Sequence, residues 1–151
     1  MEQSKLIIIT FIVTALWDVL LRIISLNQEK IINKIQIPEF IKYLKPYFDH
    51  HTLLSAALIA GFVGATTQPI IIYLMSFPSK KSNLMYIFKF MVLSFIISAL
   101  YGFIMKATKL FPYLDEHYYD KLGTIRSMYH DGISGLIVQF TILVLIYTIL
   151  K

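Results

Sequence analysis

Four runs of predominantly apolar residues, at about 6–26, 52–75, 84–107 and 133–150, set the terms on which this chain can fold. The hydrocarbon core of a bilayer is about 30 Å thick and a helix rises about 1.5 Å per residue, so each run is long enough to cross it. Composition agrees: 57% of the 151 residues are hydrophobic and 15% are charged, against about 45–50% and about 25% in soluble domains. A soluble fold of this size leaves too much of its surface in water to hide so many apolar side chains. The expected fold is an all-α integral membrane protein: one multi-pass domain, a four-transmembrane-helix bundle with short interfacial helices in its two long loops.

The first run carries Asp18 and Arg22 and lacks a small-x-small cleavage site, so it reads as a retained helix and not as a signal sequence. Four crossings put both termini and the short 77–83 turn on one side, with the long loops on the other. Basic residues are more numerous in the long loops, which favours a cytoplasmic location for them. The first loop repeats Ile31, Ile32 and Ile35, then Phe40, Ile41 and Leu44, at helical spacing among Lys30, Lys34, Lys42 and Lys45, with Pro38 placed to start the second piece. Such segments lie flat at the headgroups with their lysines reaching outward. The second loop carries Phe111, Tyr113, Tyr118, Tyr119 and Tyr129, aromatics suited to the membrane–water interface. No internal repeat is evident.

The absence of cysteine excludes disulfides, thiolate metal sites and cysteine nucleophiles. The net charge of +5 is spread over scattered lysines, a pattern for a membrane surface and not for nucleic acid. Arg22 and Arg126 are the only arginines. This lysine bias is one that AT-rich coding sequences produce, as in some viruses, organelles and parasites, and a virion or host-membrane component fits it.

Helix association inside a bilayer relies on small residues that let backbones approach and on a few polar contacts. Each run carries such a stripe at every fourth residue: Thr10, Thr14, Asp18 and Arg22; Thr52, Ala56, Ala60, Gly64 and Gln68; Ser94, Ser98, Gly102 and Lys106; Asp131, Gly135 and Gln139. The four stripes are expected to face one another. Chain direction then gathers Asp18, Arg22, His50, His51, Lys106, His130 and Asp131 in the long-loop half. Intramembrane charges cost at least about 2.5–3.5 kcal/mol each on insertion scales, so they must be paired, hydrated or useful. Two uses stand side by side. One is an ion-pair network, Asp18 with Arg22 and Lys106 with Asp131; the other is a hydrated pocket for a headgroup, an anion, a cation or a proton.

Catalytic and metal signals are incomplete. The histidines, including His117, lie near carboxylates, but no two are four residues apart around a glutamate. Gly132-Ile133-Ser134-Gly135 resembles the serine motif of rhomboid proteases, yet no later helix brings a histidine to it. Arg126, His130 and Asp131 are close enough in sequence to suggest a phosphate contact. Pro69, after Gln68, removes a backbone hydrogen bond and marks a bend, with Thr66, Thr67 and Gln68 available to the freed carbonyls. The expected function is that of a structural or accessory membrane protein without cofactor, metal or complete catalytic constellation. The alternative is a small oligomeric channel or transporter, or an enzyme acting on lipid headgroups, built on the charged cluster. Membrane lipids are the expected partners, with a second copy or another membrane protein as the macromolecular candidates and nucleic acid excluded.

Overall fold

The computed structural model describes residues 3–27, 39–75 and 84–148, and all regular structure in them is helical. The long helices are α1 (Gln3–Leu26), α3 (Leu53–Met75), α4 (Leu84–Thr108) and α5 (Thr124–Thr148); the shorter α2 (Glu39–His50) precedes α3. Residues 112–122, between α4 and α5, form a chain of short helical pieces that includes a π-helical turn, Asp115–Tyr119. The four long helices are long and apolar enough to cross a membrane. The first half of the first loop, with Ile31, Ile32, Ile35 and Pro38, and the 77–83 turn lie outside the described residues.

Local chemistry sets the helix ends. The Thr52 hydroxyl accepts a hydrogen bond from the Ser55 amide at 3.2 Å, the contact of an N-cap. Thr52 therefore closes the end of α3 and does not face a partner helix. Lys109, at φ 50°, turns the chain out of α4, and Gly123, at φ 78°, separates the short pieces from α5. Because α5 starts at Thr124, residues 124–132, which read as loop from their polarity, are its first turns. His130 and Asp131 thus stand on a rigid helix. Pro69 lies within α3, which runs on to Met75. The Thr66 and Thr67 hydroxyls donate to the Val63 and Gly64 carbonyls, each at 2.9 Å, so these threonines do not serve the carbonyl that Pro69 frees at Ala65.

The bundle is two tight helix pairs, α1 with α3 and α4 with α5, joined along a sparser seam where α1 meets α5 and α3 meets α4. Glycine makes the tight pairs possible. A Cβ on Gly64 would lie 2.8 Å from Thr14 Cβ, and one on Gly61 would lie 2.8 Å from the Phe11 ring. The second pair repeats these contacts, Gly135 against Ser98 and Gly132 against Phe95. The correspondence extends along both hairpins. Leu6, Phe11, Thr10, Thr14, Trp17 and Arg22 of α1 map at one constant offset onto Phe90, Phe95, Ser94, Ser98, Tyr101 and Lys106 of α4. Ala56, Gly61, Gly64, Gln68 and Ile71 of α3 map likewise onto Ser127, Gly132, Gly135, Gln139 and Ile142 of α5. The buried positions Leu6, Thr10, Ala56, Gln68 and Ile71 correspond to the buried Phe90, Ser94, Ser127, Gln139 and Ile142. The second hairpin is a structural repeat of the first, related by an approximate two-fold axis along the bundle. This corrects the expectation of no repeat, which failed because the matched positions are small or polar and the connecting segments differ in length.

Antiparallel steps of four residues stack the stripes into layers. Thr10, Gln68, Ser94 and Gln139 form one, all fully or nearly fully buried. Thr14, Gly64, Ser98 and Gly135 form the next, followed by Asp18, Ala60, Gly102 and Asp131. Across the axis in the first layer, Gln139 Nε2 donates to Gln68 Oε1 at 2.7 Å.

At the long-loop end, α2 does not turn its apolar face outward. Phe40, Ile41, Leu44, Tyr47 and Phe48 are buried in a cluster with Leu21, Tyr118, Tyr119 and Leu122. The Ser25 hydroxyl, donating to the Ile41 carbonyl at 2.9 Å, fastens α2 to α1. Conversely, many large apolar side chains of the long helices, among them Leu16, Phe62, Phe88 and Ile104, face outward. An apolar exterior of this extent suits acyl chains and not water.

Candidate ligand cavity

Between the two hairpins, below the cover made by α2 and residues 112–122, lies a cavity of about 210 Å³. It sits where the seam is sparse, and Gly64, Gly102 and Gly135, each in close contact with a neighbouring helix, form part of its wall. Asp18, from α1, and Asp131, from the adjacent α5, both line it. Gly102 accommodates the second carboxylate directly, because a Cβ there would collide with Asp131 Oδ2. The repeat is broken at this layer: the acid is on the first helix of one hairpin and the second helix of the other, while Gly102 and Ala60 occupy the matching positions.

Neither acid is neutralised by a basic side chain among the described residues. Asp131 Oδ1 accepts a hydrogen bond from the Tyr118 hydroxyl at 3.1 Å, and the Tyr119 hydroxyl also interacts with this carboxylate. Asp131 Oδ2, Asp18 Oδ2 and Gln139 Oε1 are buried without a hydrogen-bond partner, as is Trp17 Nε1. Arg22, one turn from Asp18, points elsewhere: its Nη1 donates to the His51 carbonyl at 2.7 Å, and its guanidinium lies 5.9 Å from the Phe48 ring centroid. Lys106 donates to Thr124 Oγ1 at 3.0 Å and reaches the Tyr119 carbonyl at 3.5 Å. The expected pairs, Asp18 with Arg22 and Lys106 with Asp131, are thus replaced by cation-to-backbone and cation-to-hydroxyl contacts. His51 directly follows α2, at a helix end where carbonyls lack intrahelical donors, and the Arg22 guanidinium satisfies one of them.

The histidines stand outside the cavity. His130 stacks on Phe40 with ring centroids 4.5 Å apart, and His51 packs on Tyr47 at 4.6 Å. Burial lowers the pKa of His51, with His50 and Arg22 acting in the same direction. Burial, and then the Asp18 carboxylate, raises the Tyr47 phenol; burial, followed by Asp131, raises Tyr118. Both phenols are therefore hydroxyl donors at neutral pH. Arg126 is exposed while Asp131 faces the cavity, so the suggested phosphate contact of Arg126, His130 and Asp131 is not assembled. Among the described residues no three His, Cys, Asp or Glu side chains gather as metal ligands.

Of the small-residue positions, Ala60, Gly64, Ser98, Gly102 and Gly135 border the cavity, whereas Ala56 and Ser94 are packed away on either side. Trp17, Tyr47, Tyr118 and Gln139 also belong to the cavity wall. Tyr118 reads from sequence as a membrane-surface aromatic, because nothing local announces that a π-helical turn aims it inward. Gln139 had a visible signal, its match to Gln68 at the same place in the repeat. Comparison of the chain with protein-family models, with curated proteins and with solved structures finds no match.

Proposed function

We propose that this protein crosses a lipid bilayer four times and binds a small solute in the cavity between its hairpins, as a carrier-type membrane protein in which Asp18 and Asp131 hold a proton or a cation. The observation that carries the proposal is a pair of half-buried aspartates lining one cavity, each with one buried oxygen that has no hydrogen-bond partner. Buried charge that served only to fasten helices together would be paired, since an unpaired carboxylate in a low-dielectric interior is strongly unfavourable. Here the nearby cations are engaged elsewhere, and the acids face open space. The purely structural or accessory role has less support for that reason.

The test is reconstitution into liposomes with a pH-sensitive dye inside and a cation gradient imposed across the membrane. Proton or cation flux above that of empty vesicles is expected, falling at least tenfold in Asp18→Asn and Asp131→Asn. Because neither acid forms an ion pair, and because asparagine at position 131 keeps an oxygen for the Tyr118 hydroxyl to donate to, both variants are expected to unfold at the same temperature as the parent or higher. Flux equal to that of empty vesicles, together with a lowered unfolding temperature for the variants, would return the protein to the structural class.

A further inference from the structure

We propose that the solute is a small organic amine, bound as its ammonium form between Asp18 and Asp131 with its apolar body against aromatic rings; this rests on the solute-binding function proposed above. The chain carries a net charge of +5, yet among the described residues no lysine, arginine or histidine lines the cavity, and the carboxylates of Asp18 and Asp131 are in its wall. The site therefore rejects anions, whether phosphate or carboxylate, and draws cations out of a molecule that elsewhere repels them.

The rest of the wall chooses among cations. Divalent metal ions of the hard kind require six or more oxygen ligands at short range, and the described residues offer no cluster of three metal-ligating side chains. Instead the wall carries the rings of Trp17, Tyr47, Tyr101 and Tyr118, together with Phe, Leu, Ile, Val and Met side chains and four serine or threonine residues. Aromatic faces attract ammonium groups electrostatically, and the apolar remainder suits a hydrocarbon body. A cavity of about 210 Å³ holds roughly ten non-hydrogen atoms at the packing density of protein interiors. Polar atoms without partners are placed for the same ligand. Of the unpartnered atoms in the wall, Asp18 Oδ2, Asp131 Oδ2 and Gln139 Oε1 are acceptors and match the donor-only character of an ammonium group; the fourth, Trp17 Nε1, is a donor. Gln139 is 3% exposed and borders the cavity, so its free oxygen has no solvent to turn to.

Trp17 is the only tryptophan in the chain, and its position in the cavity wall makes its fluorescence a direct reporter. The probes are 2-phenylethylamine, its neutral isostere 2-phenylethanol and the anion phenylacetate, titrated at pH 7 into the full-length protein in lipid nanodiscs. Saturable binding of the amine is expected, at least tenfold tighter than the alcohol, with no binding of the anion. Asp18→Asn and Asp131→Asn should each weaken amine binding at least tenfold while leaving the alcohol within threefold. The selectivity series on the unmodified protein keeps the test decisive if a variant fails to fold. Equal binding of amine and alcohol, or preference for phenylacetate, would overturn the amine assignment while leaving a solute-binding cavity in place. Proton flux in liposomes without binding of any probe would overturn it too, and would leave the proton-carrying function standing. No binding and no flux would remove both.

Discussion

Replacing Gly64 with alanine tests the packing from which the cavity arises. The added Cβ would lie 2.8 Å from Thr14 Cβ and 3.2 Å from its Cγ2, whereas carbon atoms rest at about 3.5–4.0 Å. Rotating Thr14 about χ1 moves Cγ2 and Oγ1 but leaves Cβ where the backbone holds it, and Oγ1 is already committed to the Thr10 carbonyl at 2.7 Å. The helices must therefore part by roughly 0.7–1.2 Å to restore contact distances. Overpacking of this kind costs about 1–3 kcal/mol. For a chain of this length each 1 kcal/mol shifts the unfolding midpoint by about 2–4 °C, so the variant should melt about 2–12 °C lower when followed by circular dichroism in mild detergent. Thr14→Gly removes the obstructing Cβ at a helix-propensity cost of about 1 kcal/mol. The double variant should therefore be more stable than the two single losses imply, by about 1–2 kcal/mol in a double-mutant cycle. Gly135→Ala, placed against Ser98 in the second hairpin, should fall by a similar amount. Melting within 1 °C of the parent in both glycine variants, or strict additivity in the cycle, would refute the close-approach geometry and with it the repeat.

Two further outcomes follow from the polar contacts. Gln139→Leu should destabilise the protein by about 1–3 kcal/mol, because Gln68 Oε1 loses the donor it has at 2.7 Å and stays buried. Replacing both glutamines with leucine should recover most of that loss in the same melting assay, and a double variant worse than the single would contradict the pairing. For His51, whose folded pKa is lowered by burial, His50 and Arg22, the unfolded chain binds the proton more readily. Its stabilising contribution is thus complete above about pH 6.5 and declines as pH falls through that value toward the lowered folded pKa. Unfolding midpoints measured between pH 7.5 and 5 should drop on acidification, with a shallower drop in His51→Gln; identical pH profiles would count against it.

Much of the architecture was legible because hydropathy dominates it. The run at 84–107 became α4, Leu84–Thr108, and the run at 52–75 became α3, Leu53–Met75, nearly residue for residue. Four-residue spacing also placed Ala60, Gly64, Gly102 and Gly135 on inward faces, since helical geometry alone determines which residues share a stripe. Partner choice within that interior was not legible. Arg22 is one turn from Asp18, a spacing that permits a pair, but the carbonyl of His51 competes for the guanidinium and wins because α3 starts beside the end of α1. The beginning of α5 was hidden by polarity: Arg126, Ser127, His130 and Asp131 resemble a loop until Ser127 is seen to be buried like its counterpart Ala56. The repeat was obscured for a related reason. Threonine against serine, or alanine against serine, is a weak likeness in sequence and a close one in volume.

The glutamine bridge crosses the seam at one edge of the hollow, since Gln139 belongs to the hollow's wall. Any widening of the chamber at that edge is therefore opposed by this one amide contact, a clasp between the two halves. The helix that caps the chamber is fastened to the first helix more broadly, by the Ser25 hydroxyl on the Ile41 carbonyl, by Arg22 on the His51 carbonyl and by its own buried apolar face.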